Sequence, residues 1–230
     1  VQNVAEVARR VKARAKQCKM HVDGVQALAQ LPSLDYPPEV DMVSISAHKI
    51  HGPQGVGALL LRPHVAPKPL MAGGDQQGGL RPGTLNLPGI VGMGVAMGML
   101  GQHRRSGIAA MGSLTDRLIN RLQSEISGVK LLGDGSRRAP GMAVFSVDGV
   151  RSEVLLHSLE MRGVLASSSS ACHARRTTPP ESLRQAGLKP NQGAVRFSLT
   201  THTSLREIEA AIAAFVDAVQ AIRAGCAGEL

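Results

Sequence analysis

The sequence predicts an α/β protein, and three observations carry that reading. Short strand-like apolar runs alternate with segments of helical spacing along the chain, the pattern of layered α/β architecture. Several of these runs end abruptly in polar residues, as strands do at the carboxyl edge of an open sheet. Hydrophobic residues make up 43% of the chain and aromatics only 2%, with no Trp, so packing rests on Leu, Val, Ile, Ala and Met.

Residues 4–17 read as a helix because Val4, Val7, Ala8 and Val11 recur at helical spacing. Strands follow near Met20, near Val43 and over 56–61. The Gly- and Met-rich segment 88–102 is helix-compatible and reads as a link between two domains, and 113–126 as a further amphipathic helix. Strands over 129–132 and 142–147 precede a helix over 152–162, and a strand over 195–199 precedes a closing helix over 204–223. In the closing helix Ile208, Ala211, Ile212, Phe215 and Val219 share one face, and Ser204 with Glu207 forms a capping box. There are no internal repeats.

A chain of 230 residues can bury a substantial core, as one large or two modest domains. Its apolar stretches are broken by Gly and Pro and fall short of a membrane span, and no secretory signal pattern opens it. Cys18, Cys172 and Cys226 are an odd number without metal-ligand spacing, so they read as free thiols in a reducing compartment, with no metal site. Cys18 and Cys226 suit buried, inert positions. Net charge is +9, with the densest basic run between Arg9 and Lys16. On a helix that run reads as a solvated face, and without interleaved aromatics it offers no stacking platform. Neither nucleic acid nor membrane is expected as a partner.

The chemistry concentrates at a few places. Ser46-Ala47-His48-Lys49 closes the apolar-alternating run 40–45. On extended backbone Ser44, Ser46 and His48 share a face, so hydroxyl and imidazole groups beside the Lys49 amine can hold an anion near a nucleophile. A partly desolvated lysine near a phosphate is how proteins form a Schiff base with a carbonyl cofactor. His21-Val22-Asp23-Gly24-Val25-Gln26 follows another short strand. An Asp there suits a protonated pyridine nitrogen, and Gln26 can donate to the ring's phenolic oxygen, which together point to pyridoxal 5'-phosphate. In the glycine-rich stretch 73–86, backbone amides and the Thr84 hydroxyl can meet a phosphate. Each piece alone has a plainer alternative: a strand ending in a polar loop, or Asp23 as a turn or cap residue. Gly52 to Gly57 is followed by neither a Walker lysine nor a dinucleotide fingerprint.

Cys172 lies in a polar serine-rich run, where His173, Arg175 and Arg176 favour the thiolate that attacks sulfur. His173 is also a candidate acid or base. Arg196 sits in a strand-like run, where pairing with a substrate carboxylate or a structural salt bridge would each offset its burial.

The pieces HVDGVQ, SAHKIHGPQGVGALLLR, GGDQQGGLRPGTLN, SSSSACHA and VRFSL, in that order, resemble the cysteine desulfurase and selenocysteine lyase family of pyridoxal-phosphate enzymes. The resemblance implies the C-terminal part of a fold-type I large domain over 1–104, and a smaller α/β C-terminal domain carrying the cysteine loop over 105–230. It implies Lys49 as the Schiff-base lysine, Asp23 on the pyridine nitrogen, Gln26 on the ring oxygen, and Ser46 and His48 on the phosphate. Thr84 matches a phosphate contact delivered across a homodimer interface, Cys172 the persulfide carrier and Arg196 the binder of the substrate carboxylate. The implied activity is removal of sulfur from L-cysteine, giving L-alanine and a persulfide for sulfur acceptors or iron–sulfur scaffold proteins. Alternatives are selenocysteine lyase action on L-selenocysteine, or a non-catalytic scaffold. Asp75, Gln77, Leu85, Thr200 and Thr201 depart from the family's pattern. An N-terminal part with the ring-stacking histidine is expected to be missing, and the cytoplasm, or an organelle, is the expected location.

Overall fold

Asn3 starts the first helix by accepting a hydrogen bond from the Glu6 amide, and Glu6 places negative charge in the first turn, where the helix dipole favours it. This is α1, Val4–Arg14, in a computed structural model that describes residues 1–168, 181–190 and 192–227. The chain forms two compact units, one over residues 2–105 and one over 106–230 together with Val1.

The first unit is built on a three-stranded sheet in the order β1 (His21–Asp23), β2 (Met42–Ser46), β3 (Gly57–Leu61). β1 and β2 run parallel, with Asp23 opposite Ser44; β2 and β3 run antiparallel, with Ser46 opposite Gly57. Alternation on β2 buries Val43 and Ile45 and leaves Met42, Ser44 and Ser46 on the other face, the period of a half-buried strand. Val22, Leu28 on the short α2 (Ala27–Gln30), Val40, Ile50 and Met93 complete this core. Leu59 and Leu60 of β3 are half exposed although they point to opposite faces.

One carboxylate is buried here. Asp41, its side chain 1% exposed, accepts from Lys12 Nζ at 2.6 Å, from the Met20 amide at 2.6 Å and from His64 Nε2 at 2.8 Å. The Lys12 ammonium first, then the Met20 amide, hold it well below the usual carboxylate range against the opposing effect of burial. It ties α1, the entry to β1 and the chain after β3 to the amino end of β2. A recess of about 370 Å³ opens at this same end, lined by Tyr36, Asp41, Leu60 and Arg62 among others.

The second unit carries an antiparallel sheet in the order β4 (Val129–Leu131), β5 (Met142–Asp148), β6 (Gln192–Ser198). Packed with it are α4 (Ser152–Glu160) and α6 (Leu205–Ala227), while α5 (Glu181–Gln185) is short. All three phenylalanines of the chain meet here: Phe145, Phe197 and Phe215 have ring centroids 5.8 to 6.4 Å apart, in tilted and edge-on arrangements. Only Tyr36, the one other aromatic of the chain, packs in the first unit. The capping box forms as expected, Ser204 N donating to Glu207 Oε2 at 2.7 Å and Glu207 N to Ser204 Oγ at 3.2 Å.

Three expectations need correction. The segments 88–102 and 113–126 are one helix, α3 (Leu87–Glu125), of 39 residues. Its proline, Pro88, lies in the first turn, where no intrahelical donor is lost, and Asn86 caps the start by accepting from Gly89 N at 3.2 Å. Interior glycines cost the helix about 1 kcal/mol each by propensity, but at Gly92 a Cβ would come within 2.5 Å of Pro53, so close packing explains one of them. The second correction is Cys18, which is exposed rather than buried. The third is β2, which ends at Ser46, and His48 lies in a 3-10 turn, Ala47–Ile50, instead of continuing the strand.

Candidate functional site

Strands β1 and β2 run parallel, so their carboxyl ends lie side by side. Asp23 is the last residue of β1 and Ser46 the last of β2. Beyond Asp23 the chain is pinned to β2 by Gly24 N donating to Ser44 O at 2.9 Å. The Asp23 carboxylate is exposed and accepts from the Val25 amide at 3.1 Å, which leaves acceptor positions open. Gln26, also exposed, lies in the turn before α2.

Past Ser46 the chain turns at once. His51 N and Gly52 N both donate to Ala47 O, closing the 3-10 turn, and His51 adopts a left-handed φ of 64° to leave it. The turn buries Ala47 and Ile50 and sets His48 and Lys49 on the polar side. Ser46 Oγ and His48 Nδ1 are 2.8 Å apart, so hydroxyl and imidazole form one polar unit next to Lys49. Lys49 is half-buried and enters none of the ion pairs among the described residues. An amine, a carboxylate and a Ser–His pair thus converge on one strand edge.

His21 belongs to the same face and sequence reasoning gave it no role. Its Nε2 lies 2.7 Å from Ser44 Oγ, and it precedes Asp23 by two residues. Period-two alternation was the signal that could have found it. Behind Asp23, Tyr36 places its hydroxyl 3.1 Å from where a Cβ on Gly24 would be. Burial raises the Tyr36 phenol and the Asp23 charge adds to this, while the Arg104 guanidinium opposes it. Arg104 Nε donates to Leu31 O at 3.0 Å, and its Nη2 is buried without a hydrogen-bond partner among the described residues.

Thr84 is exposed on the loop entering α3. Of the positions that depart from the family pattern, Gln77 takes a left-handed φ of 52° in this loop and Leu85 is exposed. In the second unit Arg196 lies on β6, half-buried, its Nε enclosed with no partner among the described residues. Burial lowers its pKa, and no ion pair offsets this among the described residues. An anionic ligand would resolve that deficit. Thr200, which also departs from the pattern, shapes the turn after β6: its amide donates to Thr203 Oγ1 and its own Oγ1 accepts from the His202 amide. Thr201 packs on the face of Gly107. Cys172 with His173, Arg175 and Arg176, and the Cys226 side chain, lie outside the described residues.

Residues 1–211 match the aminotransferase class-V family. The chain belongs to that family. It is a family of pyridoxal-phosphate enzymes, and the donor set at the β1–β2 edge fits such a cofactor: an open carboxylate for a ring nitrogen, a Ser–His pair for a phosphate and an uncommitted amine. The chain is similar to a protein named cysteine desulfurase from Trichormus azollae, 37% identical over 223 residues, covering 96% of this chain and 55% of the relative. A cysteine desulfurase from Klebsiella pneumoniae is 36% identical over 206 residues, covering 89% and 52%. Among solved structures, a NifS-like protein is 30% identical with a TM-score of 0.82, covering 96% of this chain and 57% of that one. The class-V chain thus has the fold of the fold-type I enzymes and spans little more than half the length of the relatives it matches.

Proposed function

We propose that the protein to which this chain belongs is a pyridoxal-phosphate-dependent cysteine desulfurase. The observation that carries the reading is the convergence of Asp23, the Ser46–His48 pair and Lys49 on one edge of a class-V sheet. The bound cofactor would supply an electron sink for the substrate's α-carbon. Asp23 keeps the ring nitrogen protonated, and Gln26 donates to the ring oxygen. Ser46 and His48 bind phosphate from one subunit and Thr84 from its neighbour in a homodimer. The Lys49 amine holds the cofactor and then moves the substrate's α-proton. Arg196 binds the substrate carboxylate, which satisfies its enclosed Nε.

Cys172 thiolate attacks the substrate sulfur. A sulfur–sulfur bond forms and the carbon–sulfur bond breaks, its electron pair staying with the carbon, which takes up protons to leave as L-alanine. The sulfur remains as a persulfide for an acceptor or iron–sulfur scaffold protein. Free-thiol chemistry of this kind suits the cytoplasm. In this reading residues 1–104 are the C-terminal part of the large domain and 105–230 the small domain.

The test supplies the protein with cofactor and L-cysteine. Alanine and protein-bound sulfane sulfur should appear in equal amounts, and both should vanish in Lys49→Ala. Sulfur transfer at the parental rate in Cys172→Ala would defeat the role of that cysteine. Turnover of L-selenocysteine with negligible turnover of L-cysteine would make the protein a selenocysteine lyase. No cofactor absorbance and no alanine would leave a non-catalytic scaffold.

A further inference from the structure

We infer that Gln76 is the positioning residue for Thr84: its side chain clasps the glycine-rich loop shut and so presets the hydroxyl that the proposed function assigns to the cofactor phosphate. The inference rests on that assignment. Residues 73–86 lie between β3 and α3 and double back on themselves, and their two arms meet at two points. Gly73 lies flush against Pro82, so that a Cβ on Gly73 would come within 2.5 Å of the ring. Next to this contact the Gln76 amide crosses the loop, and Gly83 N donates to Gln76 Oε1 at 3.1 Å. The same Oε1 would stand 2.7 Å from a Cβ on Gly74, so the side chain folds back over its own arm and fills the space between the two.

The clasp closes one residue before Thr84. Gly83 holds a φ of 99°, a conformation that only glycine enters freely, so its amide direction is set by the bond it makes. Two residues after Thr84, the Asn86 side chain fixes the chain again as the cap of α3. Thr84 is therefore anchored on both sides while remaining exposed. A loop ordered before its ligand arrives loses less entropy on binding, so the clasp should act on affinity for the phosphate and nothing else of the cofactor.

Three variants test this. Gln76→Met removes the acceptor at similar size; Gln76→Glu keeps an oxygen where Gly83 N needs one; Thr84→Ala removes the hydroxyl. Without cofactor, hydrogen exchange at the Gly83 amide should quicken about tenfold in Gln76→Met and stay near parental in Gln76→Glu. In titrations of the protein, Gln76→Met should weaken pyridoxal phosphate about tenfold, leave phosphate-free pyridoxal unchanged, and add nothing to Thr84→Ala. Unchanged Gly83 exchange, equal losses for the two aldehydes, or full additivity with Thr84→Ala would each overturn the inference. If Thr84→Ala binds pyridoxal phosphate like the parent, the phosphate assignment fails and the clasp's purpose with it. If the parent itself takes up neither aldehyde, the cofactor reading has failed, and the inference falls with it whatever Gly83 exchange shows.

Discussion

Ser167 and Arg196 exchange both of their backbone hydrogen bonds, Ser167 N donating to Arg196 O at 3.2 Å and Arg196 N to Ser167 O at 2.5 Å. The chain entering the serine-rich run is thereby paired to β6 at the arginine whose Nε has no partner among the described residues. Only main-chain atoms are involved, so the consequence depends on the amide and not on the hydroxyl. Ser167→Pro, which removes the donor, should raise KM for L-cysteine about tenfold, the value of one lost hydrogen bond. Ser167→Ala should match the parent. Equal behaviour of the two variants in steady-state kinetics would show that the pairing does not set the Arg196 position.

Asp41 should govern acid stability of the first unit. Its folded pKa lies below the ordinary carboxylate value, mainly because of Lys12, so the charged form is the one that stabilises the fold. That stabilisation is complete above the unfolded value near pH 4 and drains away as pH falls from about 4 toward the depressed folded value. Urea unfolding midpoints should drop over this range in the parent and drop less in Asp41→Asn. At neutral pH, Asp41→Ala leaves Lys12 without its partner and should cost about 3 kcal/mol.

Gly24 has little room for a side chain. A Cβ would lie 2.9 Å from Val43 Cγ1, 3.1 Å from the Tyr36 hydroxyl and 3.2 Å from Ser44 O. Gly24→Ala should destabilise by about 1–3 kcal/mol, the usual range for overpacking. Tyr36→Phe removes one of the three close atoms, so the double variant should recover part of the loss. Strict additivity in a denaturation cycle would mean that the Tyr36 hydroxyl imposes no limit at Gly24.

Phe215 is fully buried between Phe145 and Phe197. Phe215→Ala should lower stability of the second unit by about 3–5 kcal/mol, and Phe215→Leu by clearly less. Near-UV or hydrogen-exchange probes on β5 and β6 would report the change. A loss below about 1 kcal/mol would mean that this core collapses around the cavity.

Much of this protein was legible in contiguous residues. Alternation over 40–45 marked β2, the polar residues after each strand marked the candidate edge, and Ser204 with Glu207 marked the start of α6. These signals are local, because a pleat, a cap and a turn each involve residues only a few positions apart. Tertiary structure decided the rest. The segment 88–102 read as helix-compatible and 113–126 as a separate helix, yet the two are one unbroken α3, along which Gly92 packs on Pro53. Nothing near Asp41 in sequence announces Lys12 or His64, nor does Gln76 announce Gly83 or Ser167 announce Arg196. Such partners meet only when elements distant along the chain pack, and the burial that gives a hydrogen bond or an ion pair its weight exists only then.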